Sequence, residues 1–151
     1  MRLLAIGKAG QGPEQDIFAR YAARIKPKLT LVEFADGFGS AAEINRREAV
    51  LLLAAMGPKD FVIALDGGGA TPDSVELARL LGVWGEAGKK LAFVIGGAEG
   101  FDAAIIARAD AKISLGRLTW PHMLVRPMLA EQIYRAQMIS AGHPYHRAGR
   151  P

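Results

Sequence analysis

Short apolar runs alternate along the chain with longer segments whose apolar residues recur every three or four positions. Residues 3–6, 29–34, 61–65, 91–95 and 112–115 read as strands, most of them with turn residues alongside. Residues 13–25, 41–56, 74–84 and 103–109 read as helices that carry their charges away from the apolar stripe. Ser40 with Glu43 forms a capping box, and Asp73 with Glu76 caps the next helix in a related way. A last helix is expected from about residue 126 to residue 140. It would have Pro127 in its first turn, where a missing N–H costs little, and Val125, Met128, Leu129, Ile133, Ala136 and Ile139 on its buried stripe. This alternation predicts an α/β fold, a mostly parallel sheet flanked by helices, in one domain spanning 1–151. No internal repeat or linker interrupts it, and the tail 142–151 is too polar and proline-rich to join the core.

Composition narrows the class. Half of the 151 residues are apolar, enough for a real core, and there is no cysteine. A disulfide framework, a cysteine zinc site and a thiol nucleophile are excluded. Residues 1–8 hold too short an apolar run for a signal peptide, and no uncharged stretch approaches a membrane span, so a cytoplasmic protein is expected. Charge is distributed unevenly. The first 110 residues hold 13 Lys/Arg against 14 Asp/Glu, whereas the last 41 hold Lys112, Arg117, Arg126, Arg135, Arg147 and Arg150 against Glu131 alone. All three histidines, His122, His143 and His146, share that segment. The excess points to an anionic partner, with ribosomal or transfer RNA as a natural candidate.

In parallel α/β sheets, ligands gather beyond the C-terminal ends of the strands. Two expected strands end in glycine there, at Leu65-Asp66-Gly67-Gly68-Gly69 and at Gly96-Gly97-Ala98-Glu99-Gly100. Tight turns alone would explain them. The G-x-G-x-x-G dinucleotide fingerprint fails at residues 7–12, which have the wrong order, and at residues 96–100, which lack the first spacing, and residues 85–90 lack the spacing and hydroxyl of a phosphate-binding loop. A third loop runs Gly116-Arg117-Leu118-Thr119-Trp120-Pro121 into His122. Together the loops suit adenine and a methionine-like chain better than a triphosphate, because the first two carry no basic residue.

Four ordered motifs carry a resemblance. They are Val94-Ile95-Gly96-Gly97-x-Glu99-Gly100, Leu118-Thr119-x-Pro121-His122-x-Leu124-Val125-Arg126, Glu131-Gln132-Ile133-Tyr134-Arg135-Ala136 and His143-Pro144-Tyr145-His146-Arg147. With them, essentially the whole chain resembles the ribosomal RNA large-subunit methyltransferase H family of the SPOUT class. Ala98, Pro127 and Trp120 depart from that family's usual residues. The resemblance implies a C-terminal trefoil knot over roughly residues 91–141, a homodimer, and S-adenosylmethionine as cofactor with no metal. It implies cofactor contacts at Leu65, Gly97, Gly116, Arg117, Leu118, Thr119, Trp120 and Pro121. The implied reaction is methylation of N3 of a pseudouridine in 23S rRNA, in the large-subunit hairpin loop facing the small subunit, on the assembled ribosome.

Such a reaction needs the acceptor nitrogen held in line and its proton removed. His122, Arg126, Glu131, Arg135, Tyr145 and His146 are the candidate catalytic residues. An arginine or a protonated histidine could stabilise the developing anion, or a histidine could take the proton. Glu131 and Arg135 also have the spacing of an ordinary helix-surface ion pair. Two histidines in His143-Pro144-Tyr145-His146 without a carboxylate make a poor metal site. In the family's terms that segment is a lid, with Tyr145 against the target base. His143, Arg147 and Arg150, with Arg20 and Arg24 on the first helix, are candidate RNA contacts that fix position more than sequence. Two other classes fit the chain: a non-enzymatic ribosome-binding protein of the same fold, and an α/β enzyme acting on a small nucleotide. A methyltransferase on another rRNA or tRNA nucleotide is the alternative within the class.

Overall fold

The computed structural model describes residues 1–86 and 88–147. Five strands, β1 (Arg2–Ile6), β2 (Thr30–Phe34), β3 (Asp60–Ala70), β4 (Lys90–Ile95) and β5 (Ala111–Ile113), form one sheet in the order β2-β1-β4-β3-β5. Every pairing is parallel. Five helices connect or follow them: α1 (Pro13–Ala22), α2 (Ala41–Ala55), α3 (Ser74–Glu86), α4 (Ala103–Arg108) and α5 (His122–Ser140). This is the parallel α/β arrangement that the sequence predicts.

A parallel sheet covered on both faces needs apolar residues at successive strand positions, and successive side chains then serve opposite faces. Leu3, Ala5, Ile63, Leu91, Phe93 and Ile95 pack on one face with Phe18 of α1, Leu77 of α3, and Leu129 and Ile133 of α5. Leu4, Ile6, Val62, Ala92 and Val94 pack on the other with Ala49 and Leu52 of α2 and Ile105 of α4. The helices following β3 and β4, which are neighbouring strands, therefore leave on opposite faces. Their loops part at the C-terminal edge and open a crevice there.

Capping follows the sequence. The Glu43 carboxylate accepts the Ser40 N–H at 2.9 Å and the Ser40 hydroxyl at 2.7 Å. The Asp73 carboxylate accepts the Glu76 N–H at 2.7 Å. Two boundaries differ most from expectation, while α1 also stops at Ala22 and β5 at Ile113, short of the expected ends. β3 continues to Ala70 through the glycine run, because the chain bulges after Leu65 and rejoins β5, Leu65 and Ala70 both standing opposite Ile113. Gly69 permits this approach: a Cβ there would lie 2.7 Å from the Ile113 nitrogen. α5 begins at His122 instead of near Arg126, so Pro127 lies inside the helix and not in its first turn. The helix extends across the proline because Arg126, Pro127, Leu129 and Ala130 are all buried, and that packing outweighs one missing helical N–H.

Candidate active site

Loops after β3, β4 and β5 meet at the crevice. A cavity of about 540 Å³ is walled by Leu65–Gly67, Ile95–Ala98, Gly100, Phe101, Thr119, Trp120, Pro121, His122 and Val125. A second of about 250 Å³ shares Leu65, Asp66, Gly67, Thr119, Trp120 and Val125 and continues along Ser114–Leu118. The two are lobes of one site. Leu65, Gly97, Gly116, Arg117, Leu118, Thr119, Trp120 and Pro121 all line it, so the eight residues chosen as cofactor contacts share one place. Gly116 adopts φ +118°, a conformation that favours glycine. Gly97 sits against Glu48 of α2, whose carboxylate a Cβ would approach to 2.7 Å.

The walls are mostly backbone and apolar side chains; of the charged side chains, Asp66 borders both lobes and Arg117 borders the smaller one, and Ser114, Thr119 and His122 add polar groups. The Asp66 Oδ1 accepts the Gly68 N–H at 2.8 Å. That donor set suits a ligand with a flat apolar heterocycle, hydroxyls and a positive charge. S-adenosylmethionine has all three. Sequence reasoning does not single out Asp66; its place between a strand and a glycine run is the available signal.

A second cluster lies farther along α5. Glu131 Oε1 accepts Arg135 Nε at 3.0 Å, Arg135 Nη2 at 2.5 Å and the Tyr145 hydroxyl at 3.0 Å. Glu131 Oε2 accepts Gln132 Nε2 at 2.7 Å. The Arg135 guanidinium stands 5.0 Å from the Tyr145 ring centre, and the ring meets Tyr134 edge-on at 4.9 Å. Burial raises the Tyr145 pKa above its ordinary value, assisted by hydrogen bonds with Tyr21 and Glu131. The Glu131 hydrogen bond raises that of Arg135. The hydroxyl thus stays protonated and the guanidinium charged, the states in which each donates to Glu131.

The other candidates are dispersed. Arg126 is 1 % exposed. It donates to Glu33 Oε1 at 2.6 Å and to the carbonyls of Ile6 and Gly7 at 2.8 and 2.7 Å, tying α5 to the end of β1. His122 borders the larger lobe of the cavity. The Nδ1 of His146 is buried without a hydrogen-bond partner among the described residues. His143 is exposed, and its Nδ1 accepts the Tyr145 N–H at 3.1 Å. Arg147 and Arg20 are exposed, Arg24 lies beyond the end of α1 with its guanidinium 5.8 Å from the Tyr134 ring centre, and Arg150 lies outside the described residues. Among the described residues no three His, Asp or Glu side chains gather as a metal site.

His122 and Glu131 are nine residues apart on α5, about 13 Å of axial rise. One chain does not bring the cofactor cavity and the Glu131 cluster together. An apolar groove of about 780 Å³ runs between them along α5, bordered by Ile17, Tyr21, Leu77, Ser114–Gly116, Leu124, Met128 and Glu131.

A family model described as predicted SPOUT methyltransferase matches residues 1–146. The chain belongs to the SPOUT methyltransferase family. This SPOUT methyltransferase is 58 % identical to ribosomal RNA large subunit methyltransferase H of Acidiphilium cryptum, over 100 % of this chain and 96 % of that one. It is 53 % identical to the protein of the same name from Gluconacetobacter diazotrophicus, over 100 % and 99 %. Two solved structures share its fold. One is a probable methylase family protein from Haemophilus influenzae, with TM-score 0.58, 9 % identity, and coverage of 99 % of this chain and 71 % of that one. The other is the SpoU methyltransferase AviRb from Streptomyces viridochromogenes in complex with the cofactor AdoMet, with TM-score 0.50, 12 % identity, and coverage of 93 % and 58 %. No helix among the described residues of the SPOUT methyltransferase is long and apolar enough to cross a membrane.

Proposed function

We propose that the chain transfers a methyl group from S-adenosylmethionine to N3 of a pseudouridine in 23S rRNA, in the hairpin loop of the large subunit that faces the small subunit, on assembled ribosomes. One observation carries the reading: all eight residues of the expected cofactor set wall one two-lobed cavity at the C-terminal edge of a parallel sheet. Relatives named as large-subunit rRNA methyltransferases, matched over the whole chain, support the substrate class. The trefoil knot over roughly residues 91–141 belongs to the same proposal and rests on family membership.

When bound, the cofactor supplies an already activated methyl group on a sulfonium, whose sulfur keeps the electron pair of the broken bond. The backbone of Gly97 and of residues 116–121 would hold the cofactor, and Asp66 would supply a carboxylate suited to its positive charge. His122, on the wall of the same cavity, accepts the N3 proton as the new N–CH3 bond forms. Glu131, Arg135 and Tyr145 dock the tail as a lid, with His146 beside Tyr145 and exposed Arg147 toward phosphate. Arg126 acts by positioning, since it fixes the first turns of α5 and thereby His122.

The chain works as a homodimer in this reading. Ile17 and Leu124, 42 % and 38 % exposed, line the groove that joins the cofactor loop to the Glu131 cluster. A second copy seated there would set its tail near this chain's cofactor cavity and cover the 13 Å gap. Calorimetry tests the cofactor assignment. One S-adenosylmethionine per chain, with no heat from ATP or NADH, is the expected result. Ribosome binding with no S-adenosylmethionine binding would favour the non-enzymatic reading.

A further inference from the structure

The loop between β2 and α2 carries the most exposed large hydrophobic residue among the described residues, Phe38, at 72 %. It is not a loose side chain. The Arg47 guanidinium carbon sits 3.7 Å from the Phe38 ring centre, a close stacking distance. Arg46, one residue earlier, is also exposed and leans its Nε on the Ala42 carbonyl at 3.3 Å.

The loop is fastened to the cofactor site. The Glu48 carboxylate, 4 % exposed, accepts the Gly37 N–H at 3.0 Å with Oε1. The same carboxylate lies against Gly97 of the cofactor loop. Asn45 donates from Nδ2 to the Glu99 carbonyl of that loop at 3.3 Å. Gly37 itself has no room for a side chain, because a Cβ would meet the Ile44 Cα at 2.9 Å. An aromatic ring and two arginines are therefore held at a fixed place beside the cavity. They stand on the face of the sheet opposite α1 and α5, where Arg20 and the tail lie.

We infer that Phe38, backed by Arg47, is a stacking platform for an unpaired base of the rRNA substrate, and that Arg46 and Arg47 contact the adjoining phosphates. An exposed aromatic ring with a guanidinium behind it and positive charge around it fits a nucleobase flanked by phosphates. An uncharged protein surface would leave both arginines without partners. The inference rests on the rRNA reading above and extends it: RNA is gripped on both sides of the cofactor cavity, not only from α1 and the tail.

Phe38→Ala, Phe38→Leu, Phe38→Trp and Arg47→Ala are compared with the wild-type full chain. Three quantities are read: co-sedimentation with ribosomes lacking the modification, S-adenosylmethionine affinity, and sedimentation velocity of the free protein. Loss of one base–aromatic stack should weaken ribosome association about 5- to 150-fold in Phe38→Ala. Phe38→Trp should keep it, Phe38→Leu should not restore it, and Arg47→Ala should weaken it and flatten its salt dependence. Cofactor affinity and oligomeric state should stay unchanged. Equal binding by wild type, Phe38→Leu and Phe38→Ala would overturn the inference, as would no ribosome binding by the wild type. A shift of Phe38→Ala toward monomer would also overturn it, by making Phe38 a contact between copies. If the wild type binds ribosomes but transfers no methyl group, the methyltransferase reading fails while Phe38→Ala still decides this one.

Discussion

The Tyr145 hydroxyl donates to Glu131 Oε1 at 3.0 Å, which pins the tail to α5 beside the Arg135 guanidinium. Tyr145→Phe removes that bond and leaves the Glu131–Arg135 pair. A hydrogen bond to a charged group contributes about 1.5 kcal/mol, so kcat/KM for ribosomes should fall about tenfold. S-adenosylmethionine affinity should not change, because no residue of this cluster lines the cofactor lobes. Steady-state methyl transfer and calorimetry on the same variant check both halves. A parallel loss of cofactor binding would contradict the placement.

The raised pKa of Tyr145 makes a second prediction with a definite sign. Burial and the hydrogen bonds with Tyr21 and Glu131 favour the neutral phenol in the folded state. The resulting stabilisation is whole below the ordinary value of 10.0 and drains away as pH rises above it. Ultraviolet titration should show a late-ionising phenol, which Tyr145→Phe abolishes. Loss of an early phase instead would show that the hydroxyl is not held.

Arg126 is buried with three acceptors, Glu33 and the carbonyls of Ile6 and Gly7. Arg126→Leu leaves all three without this donor. Glu33 retains some solvent and the Ala9 N–H, which tempers the loss, so about 3 kcal/mol of stability should go. Urea denaturation measures it. Arg126→Leu with wild-type stability and impaired turnover would mean that the guanidinium acts on substrate and not by positioning α5.

Gly97→Ala would bring a methyl group to 2.7 Å from the Glu48 carboxylate and push the cofactor loop outward. Overpacking of this kind costs about 1–3 kcal/mol, so S-adenosylmethionine should bind about tenfold more weakly. Calorimetry provides the measurement. Undiminished affinity would remove Gly97 from the wall of the site.

Much of this architecture is legible in the chain because the physics is local. Buried parallel strands announce themselves as the apolar runs of β1 and β4, and Ser40 with Glu43 marks the start of α2 to the residue. The start of α5 was obscured by Pro127, whose ring resembles a first-turn residue until burial of Arg126 and Leu129 is known. The strand continuing through Gly69 was hidden because the reason for that glycine, the β5 backbone, lies more than forty residues away. The same separation hides the partners of Arg126. Glu33 is 93 positions distant, so a guanidinium that ties two elements together reads in sequence as one more free cation. Glu48 was equally invisible, since an acid on a helix gives no sign that it faces two loops. The convergence of the loops is legible from the glycine-rich ends of parallel strands, whereas the choice of individual residues as expected cofactor contacts came through resemblance.

The most direct test of the central claim is transfer of label from methyl-labelled S-adenosylmethionine to ribosomes taken from cells lacking this gene, followed by mapping of the labelled nucleotide. Label is expected on N3 of one pseudouridine in 23S rRNA, and none in 16S rRNA. Label confined to another nucleotide would contradict the substrate, and no label in the presence of bound cofactor and bound ribosome would contradict the reaction itself.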